Sequence, residues 1–205
     1  MSKIQKVGIM GGTFDPIHYG HLATAEEARI HFELDKVIFV PAGHPSHKKD
    51  YEVTPMEQRY IMTALAINSN PFFEISRMEI DRKGISYTVE TLKQFAEEFG
   101  PDTSLYFISG ADAVLDILTW KDVGGVLSFC TFIAATRPGY PMGQLWEKLA
   151  EIKKLYNREV YPMEVTDLDI SSTEIRRRLK VGLSIRYLVP DNVRDYVEKI
   201  GLYDT

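Results

Sequence analysis

Short apolar runs alternate with helix-length amphipathic segments along the whole chain, and this alternation limits the possible fold more than any other feature of the sequence. The runs VIFV at 37–40, LYFI at 105–108 and TFIAA at 131–135 are apolar almost throughout, which is typical of parallel strands covered on both faces. Helix-length segments between such strands indicate right-handed βαβ units. The pattern predicts an α/β fold: an open, mainly parallel sheet with helices on both faces.

The predicted elements cover most of the chain. Proline after a capping threonine at Thr54–Pro55, and proline again at 190, are typical of helix starts. The strands are expected at 6–10, 37–40, 73–76, 105–109, 131–135 and 159–161, and the helices at 21–32, 55–68, 88–99, 143–156, 171–181 and 190–200.

The length of 205 residues favours one domain. A chain of this size buries about 70% of its unfolded surface, enough for a core without disulfides or metals. We expect 1–205 to form a single domain, on which a small helical C-terminal part at about 171–205 packs.

The composition argues against a disulfide-stabilised or zinc-binding protein, a nucleic-acid-binding protein and a membrane protein. Cys130 is the only cysteine, so the chain has neither an internal disulfide nor a CxxC zinc site, and a reducing compartment is expected. A net charge of −5 argues against a nucleic-acid partner. The longest charge-free apolar-rich run, 123–136, has 14 residues, fewer than a membrane span needs, and no signal peptide is apparent. We therefore expect a cytoplasmic protein that binds neither nucleic acid nor membranes.

The segment GGTFDPIHYGHL at 11–22 follows the first predicted strand and opens a helix. Glycines let a backbone approach a ligand closely, and a helix start offers free N–H groups to a phosphate. The spacing of neither a P-loop nor a dinucleotide fingerprint is present. Instead, His18 and His21 flank Gly20, and their imidazoles can donate hydrogen bonds to phosphate, with added charge if they are protonated.

Three interpretations of this segment are open: a glycine turn with polar capping residues, a metal-binding histidine pair, or a nucleotide phosphate site. The metal interpretation needs a third ligand, for which His44 and His47 are the only plausible partners. The residue types favour the phosphate site.

A second segment suited to phosphate, DISSTEIR at 169–176, precedes another helix. Ser171 can cap this helix, with Glu174 completing a capping box. The guanidinium of Arg176 presents a fork of donors that matches phosphate, whereas Arg177 and Arg178 are expected to be solvated. Together the two segments could hold a triphosphate from two sides. Neither supplies a nucleophile with a base, and an anionic phosphate monoester as the attacking substrate needs none.

The pair GGTFDPIHYGH and DISSTEIR resembles the nucleotidyltransferases that carry H-x-G-H and I-S-S-T-x-x-R segments on a Rossmann-like fold. Within that superfamily the whole chain is similar to the bacterial nicotinate-nucleotide adenylyltransferases of NAD biosynthesis. The further segments that carry this similarity are PSHK at 45–48, SYT at 86–88, GAD at 110–112, TW at 119–120, RPG at 137–139 and YLVP at 187–190. Members of that family commonly show two prolines before the loop histidine, where this chain has Pro45-Ser46.

The resemblance implies that the chain transfers the adenylyl group of ATP to nicotinate mononucleotide, giving nicotinate adenine dinucleotide (deamido-NAD) and pyrophosphate. The substrates would be these two small molecules. Mg²⁺ would arrive on the ATP phosphates, with no metal held by the protein itself.

The resemblance also implies the site residues. His18, His21 and Arg176 would be catalytic. ATP would be bound by Gly11, Gly12, Thr13, Phe14, His18, Gly20, His21, Gly110, Asp112, Ser171, Ser172, Thr173 and Arg176, and nicotinate mononucleotide by Thr13, Lys48, Tyr87, Thr88, Trp120 and Arg137.

Two other functions remain as alternatives. A metal-dependent hydrolase would use His18, His21 and a third ligand. A non-catalytic nucleotide-binding module would bind ATP without releasing pyrophosphate. For Trp120, next to Lys121 and Asp122, a half-buried packing role is the alternative to stacking on a substrate ring.

Overall fold

The computed structural model describes residues 5–44 and 53–203. Its centre is a sheet of six parallel strands in the order β3-β2-β1-β4-β5-β6. The strands are β1 (Gln5–Gly12), β2 (Lys36–Pro41), β3 (Phe73–Ile75), β4 (Thr103–Gly110), β5 (Thr131–Thr136) and β6 (Val160–Glu164). All pairings are parallel, and the order reverses between β1 and β4, which is the Rossmann-type arrangement.

Eight α-helices flank this sheet in the described part of the chain. They are α1 (Tyr19–His31), α2 (Met56–Ile67), α3 (Thr88–Phe99), α4 (Ala111–Leu115), α5 (Val123–Phe129), α6 (Met142–Tyr156), α7 (Ser172–Lys180) and α8 (Asp191–Ile200), with a 3₁₀ turn at Ile117–Thr119. All six predicted strands and all six predicted helices are confirmed, with ends shifted by a few residues. The sequence did not predict α4, the 3₁₀ turn or α5.

Two apolar layers cover the sheet, because side chains alternate between its faces. Val7, Ile9 and Phe107 face a layer built by α3, α4, α5 and α6. Met10 and Phe39 face a layer built by α1, α2, α7 and α8. The expected Rossmann-like fold with helices on both faces is therefore confirmed.

The C-terminal helices belong to the second layer. Ile175 of α7 and Val193 and Val197 of α8 are buried in the same apolar cluster as Met10. Their burial fixes the start of α7 beside the loop that follows β1. Within the described ranges, no helix combines the length and apolarity that crossing a membrane requires.

Candidate active site

The carboxyl ends of β1 and β4 lie side by side at the point where the strand order reverses. Helices leave these two strands toward opposite faces of the sheet, which opens a crevice where such folds bind ligands. Gly11 and Gly12 end β1, and Gly110 ends β4. One cavity of about 430 Å³ lies on each face of this crevice.

The first cavity lies on the α3 side of the sheet. Three kinds of group line it: apolar side chains of the strands, the backbone of the β1 end, and the residues that start α3 or follow α4. They include Ile9, Gly11, Gly12, Thr13, Val40, Phe107, Glu79, Tyr87, Thr88, Trp120 and Lys121. The predicted mononucleotide residues Thr13, Tyr87, Thr88 and Trp120 are thus brought together here.

Trp120 is half-buried in this cavity. Its ring lies 6.2 Å from the Phe107 ring and 6.1 Å from the Phe132 ring, measured between centroids. These contacts fix the indole while it still lines the cavity. The packing role is therefore observed, and the indole also faces a cavity in which a flat ring could stack on it.

Thr88 is the first residue of α3, and Tyr87 precedes it in an extended conformation. The N–H groups of a first helical turn have no partner within the helix, so the α3 start is a donor site for an anion. Glu90 carries a negative charge in this turn, but its carboxylate is paired with the Lys121 ammonium at 2.7 Å. The Lys121 ammonium also lies 4.0 Å from the centre of the Tyr87 ring.

Two charged residues in the first cavity were missed by the sequence reasoning. Glu79 accepts a 2.7 Å hydrogen bond from the Thr91 hydroxyl, and burial raises its pKa. Lys121 lines the cavity beside Trp120. Lys121 could have been found from its position next to the tryptophan, whereas Glu79 belongs to no motif.

The second cavity lies on the α1 and α7 side. It collects the histidine pair, the end of β4 and the start of α7. Its lining includes Met10, His18, Gly20, His21, Thr24, Gly110, Asp112, Thr136, Arg137, Tyr140, Asp167, Ser171 and Ser172. Most of the residues predicted for ATP therefore meet in one place, although they come from segments about 150 residues apart in sequence.

The two imidazoles of the first segment stack on each other at 3.7 Å between ring centres. The His18 N–H donates to His21 Nδ1 at 3.3 Å, so in neutral His21 the proton is on Nε2, where it can be donated to a ligand. His18 is buried, and its Nδ1 has no hydrogen-bond partner among the described residues. A buried polar atom without a partner is costly, which marks this position as more than a structural cap.

Burial also determines the charge of the pair. Burial lowers the pKa of His18 to about 4. Burial, together with the neighbouring His18, lowers the pKa of His21 well below its ordinary range. Both imidazoles are therefore neutral at neutral pH, and each can still donate one N–H hydrogen bond.

The glycine between the histidines makes their stacking possible. A Cβ at Gly20 would lie 3.1 Å from His18 Nδ1 and 3.2 Å from His18 Cε1, closer than side chains normally pack. Any other residue at this position would push the His18 ring.

The Phe14 side chain packs between His21 of the site and Phe39 of the sheet. Its backbone is left-handed, with φ of 50°, and its side chain is buried against the rings of His21 at 5.1 Å and Phe39 at 5.8 Å. Only its backbone is therefore available to a phosphate. A Cβ on Gly12 would lie 2.8 Å from the Phe14 ring, so Gly12 is needed for this packing.

The start of α7 is bonded directly to the loop after β1. The Ser172 hydroxyl donates to the carbonyl of Pro16 at 2.8 Å, and Arg176 donates to the carbonyl of Asp15 at 2.7 Å and to the Thr173 hydroxyl at 3.4 Å. The two phosphate-suited segments are thus one unit in the folded chain.

The capping box expected at this helix is half formed. The Ser171 hydroxyl accepts from the Glu174 N–H at 3.2 Å. The Glu174 carboxylate instead pairs with Arg177 and Arg178, which lowers its pKa to about 2. The side chains of Arg177 and Arg178 are 57% and 38% exposed, so both are solvated as expected and pair with Glu174 at the surface.

Among the described residues, one predicted mononucleotide residue, Arg137, does not line the first cavity. Arg137 follows β5 and lines the second cavity, where it pairs with Asp169 at 3.1 Å, and its assignment to the mononucleotide stays a prediction. Lys48 lies outside the described residues. Asp112 is in the second cavity and accepts a hydrogen bond from the Tyr140 hydroxyl at 3.0 Å.

Metal binding by the protein finds no support in the part of the chain that the structure describes. Within residues 5–44 and 53–203, no three His, Cys, Asp or Glu side chains form a group that could hold a metal ion. His47, one of the two possible third ligands, lies outside those ranges.

Comparison with known proteins decides the family. Residues 9–178 match the family profile described as cytidylyltransferase-like. A relative from Moorella thermoacetica, named "probable nicotinate-nucleotide adenylyltransferase", is 58% identical over 198 residues, covering 97% of this chain and 91% of the relative. A relative of the same name from Thermoanaerobacter sp. is 54% identical over 203 residues, covering 99% of this chain and 96% of the relative. The chain belongs to the nicotinate-nucleotide adenylyltransferase family.

Solved structures share the fold of this family member. The Plasmodium falciparum nicotinic acid mononucleotide adenylyltransferase complexed with NaAD superposes with a TM-score of 0.79 at 22% identity, over 98% of both chains. The same protein complexed with APC gives a TM-score of 0.76. Family membership confirms the resemblance inferred from the two segments and makes the chain a nucleotidyltransferase.

Proposed function

We propose that this enzyme transfers the adenylyl group of ATP to nicotinate mononucleotide, giving nicotinate adenine dinucleotide and pyrophosphate. The observation that carries the proposal is the pair of cavities at the ends of β1 and β4, one on each face of the sheet. Each has room for a nucleoside or nucleotide moiety. Residues 11–13 line the first cavity and the histidine pair lines the second.

In this proposal ATP occupies the second cavity. The ribose hydroxyls donate to Asp112, and the triphosphate lies between the histidine pair and the start of α7. His21 Nε2, the hydroxyls of Ser171 and Thr173, and Arg176 donate to phosphate oxygens, while the Ser172 hydroxyl stays bonded to the carbonyl of Pro16 and the Ser172 backbone N–H faces the phosphates. Gly11, Gly12, Thr13, Phe14, Gly20 and Gly110 contribute backbone close to the nucleotide.

Nicotinate mononucleotide occupies the first cavity. Its pyridine ring stacks on Trp120, and its carboxylate accepts hydrogen bonds from the N–H groups at the start of α3, including that of Thr88. Tyr87 and Thr13 border the ring and the phosphate, and Lys48 is proposed to contact the phosphate. The apolar walls from Ile9, Val40 and Phe107 suit a ring better than they suit a chain of polar groups.

The chemistry that follows needs no protein base. An oxygen of the mononucleotide phosphate attacks the α-phosphorus of ATP in line, the bond to the β-phosphate oxygen breaks, and pyrophosphate leaves with that electron pair. Mg²⁺ enters as part of the MgATP substrate and neutralises the leaving phosphates. The neutral imidazoles and Arg176 stabilise the charge that develops on the phosphates.

We further propose that 1–205 acts as one nucleotidyltransferase domain, since α7 and α8 share the apolar cluster of β1 and β2. We also propose that the enzyme is cytoplasmic, where ATP is available. Its substrates are these two small molecules alone.

Pyrophosphate release from MgATP tests this function, with nicotinate mononucleotide, nicotinamide mononucleotide or phosphopantetheine offered in parallel. We expect release with nicotinate mononucleotide and little with the other two. Release mainly with one of the others would contradict the substrate assignment, and ATP binding without release would favour a non-catalytic nucleotide-binding module.

A further inference from the structure

Asp15 is a buried carboxylate in the loop between β1 and α1, with 3% of its surface exposed. It does not line either cavity, so the proposed chemistry does not use it directly. A buried carboxylate is retained at a cost unless its oxygens are satisfied. Its partners therefore indicate what it does.

Those partners come from distant parts of the chain. The Tyr203 hydroxyl, near the C-terminal end of the described residues, donates to Asp15 Oδ1 at 2.6 Å. The Thr54 N–H donates to Asp15 Oδ2 at 3.3 Å. Burial and the adjacent Asp15 raise the pKa of Tyr203, so its hydroxyl stays protonated and remains a donor.

Arg59 closes this network from the other side. Its guanidinium, 1% exposed, donates to the carbonyls of Thr54 at 2.9 Å, Thr13 at 2.8 Å and Gly43 at 3.1 Å. Thr54 therefore joins Asp15 through its N–H and Arg59 through its carbonyl. The loop between β1 and α1 is held at both Thr13 and Asp15.

The backbone of the same loop holds the start of α7. The carbonyl of Asp15 accepts from Arg176, and the carbonyl of the next residue, Pro16, accepts from Ser172. Anchoring the Asp15 side chain thus fixes the carbonyls to which these two phosphate-directed residues are attached.

We infer that Tyr203 is a positioning residue for the ATP phosphates, acting through Asp15 on Arg176 and Ser172. This inference rests on the proposed function, because it takes the second cavity as the ATP site. The terminal segment after α8 is then part of the catalytic apparatus, although it lies far from the H-x-G-H segment in sequence.

The chain offers a matched control for the test. The hydroxyl of Tyr196, on α8, also donates one hydrogen bond to a side chain, that of Gln58 on α2, and among the described residues neither side chain is hydrogen-bonded to the loop after β1. Tyr203→Phe and Tyr196→Phe each remove one partly buried hydroxyl from the C-terminal region. Tyr203→Phe should lower the melting temperature more than Tyr196→Phe, because it leaves an oxygen of the buried Asp15 carboxylate without its donor, so the kinetics of both variants are compared well below their melting temperatures.

Kinetics separate the two variants. For Tyr203→Phe we expect kcat/KM for ATP to fall roughly tenfold, the effect of losing a hydrogen bond to a charged group, with a much smaller change in KM for nicotinate mononucleotide. For Tyr196→Phe both constants should stay within about twofold of the wild-type values. Equal kinetic changes in the two variants, or wild-type kinetics in Tyr203→Phe, would overturn the inference.

Failure of the proposed function would give a different result. If the wild-type enzyme releases no pyrophosphate with any acceptor, the proposed function fails, and calorimetric titration with MgATP decides the inference instead. Affinity about tenfold weaker in Tyr203→Phe than in Tyr196→Phe would still support the positioning role, and equal affinities would overturn it.

Discussion

At the scale of single residues, the histidine pair is the feature that most clearly indicates a phosphate site. Two imidazoles stacked at 3.7 Å would repel each other if both were protonated, and burial keeps them neutral instead. A neutral imidazole still donates one N–H to a phosphate oxygen. The arrangement is preorganised for an anion, as expected for groups that stabilise a transition state.

His18→Ala should therefore lower kcat by at least ~100-fold, the scale for losing one preorganised donor. The second imidazole also loses its stacking partner, which adds to the effect. Steady-state rates of pyrophosphate release measure it. A turnover close to that of the wild type would remove His18 from the mechanism.

Gly20→Ala tests whether the exact placement of the His18 ring matters. The added Cβ, 3.1 Å from His18 Nδ1, forces the ring to move by a few tenths of an ångström. We expect kcat to fall several-fold, up to about tenfold, because small misplacements of catalytic groups are costly. Stability should hardly change, since alanine is the better helix former.

Gly143→Ala is the control for that variant. Gly143 is the second residue of α6, as Gly20 is of α1, and a Cβ there would meet nothing within 4 Å. Its kcat should equal the wild-type value. A similar loss of kcat in both variants would show that the effect of Gly20→Ala does not come from His18.

At the scale of elements, the start of α3 leads to a specific prediction about how the nicotinate carboxylate is bound. Tyr87 has φ of −115° and ψ of 136°, a conformation that the residue before a proline readily adopts. Proline is also favoured at the first helical position, which Thr88 occupies. Thr88→Pro should therefore leave α3 intact and delete one backbone N–H.

If that N–H binds the nicotinate carboxylate, Thr88→Pro raises KM for nicotinate mononucleotide by about tenfold or more, while KM for ATP stays near the wild-type value. Thr88→Ala, which keeps the N–H and loses the hydroxyl, should change neither constant by more than about threefold. Equal losses in the two variants would assign binding to the hydroxyl instead of the backbone.

The sequence predicted the long elements and failed at the short ones, for reasons that particular residues show. α5 was missed because Gly124 and Gly125 are poor helix formers. In the structure Gly125 serves close packing: a Cβ there would lie 2.4 Å from the Asp122 carboxylate that caps the helix and 2.8 Å from Val89 of α3. Helix propensity reflects only neighbouring residues in the sequence, so it could not predict this contact between α5 and α3.

The candidate site was predictable to the extent that its residues lie in motifs. The histidine pair and the start of α7 are recognisable in the sequence by their helix-start patterns. The sheet order brings them together as expected. Glu79, Arg59 and Tyr203 carry no local pattern. Their roles depend on which loops and helices meet in the folded chain, so only the structure reveals them.

At the scale of the whole molecule, the buried histidines couple folding to pH. An unfolded histidine has a pKa of about 6.5, whereas burial lowers that of His18 to about 4. Between these values the unfolded chain binds more protons than the folded chain, so the free energy of unfolding falls as the pH falls. His21 acts in the same direction. The stability that neutral His18 provides is complete above pH 6.5 and is lost as the pH falls toward 4.

This coupling predicts how stability depends on pH in a variant. Lowering one pKa from 6.5 to about 4 is equivalent to about 3 kcal/mol of unfolding free energy, of which about 2 kcal/mol is lost between pH 7 and pH 5. His18→Gln removes this contribution, so urea unfolding at pH 7 and pH 5 should differ less in the variant than in the wild type by about that amount. His31→Gln, at the exposed end of α1, is the control for the loss of an imidazole away from the site. If His18→Gln lowers stability equally at both pH values, the imidazole is not held neutral by the fold, and the preorganised neutral pair on which the phosphate site depends would have to be abandoned.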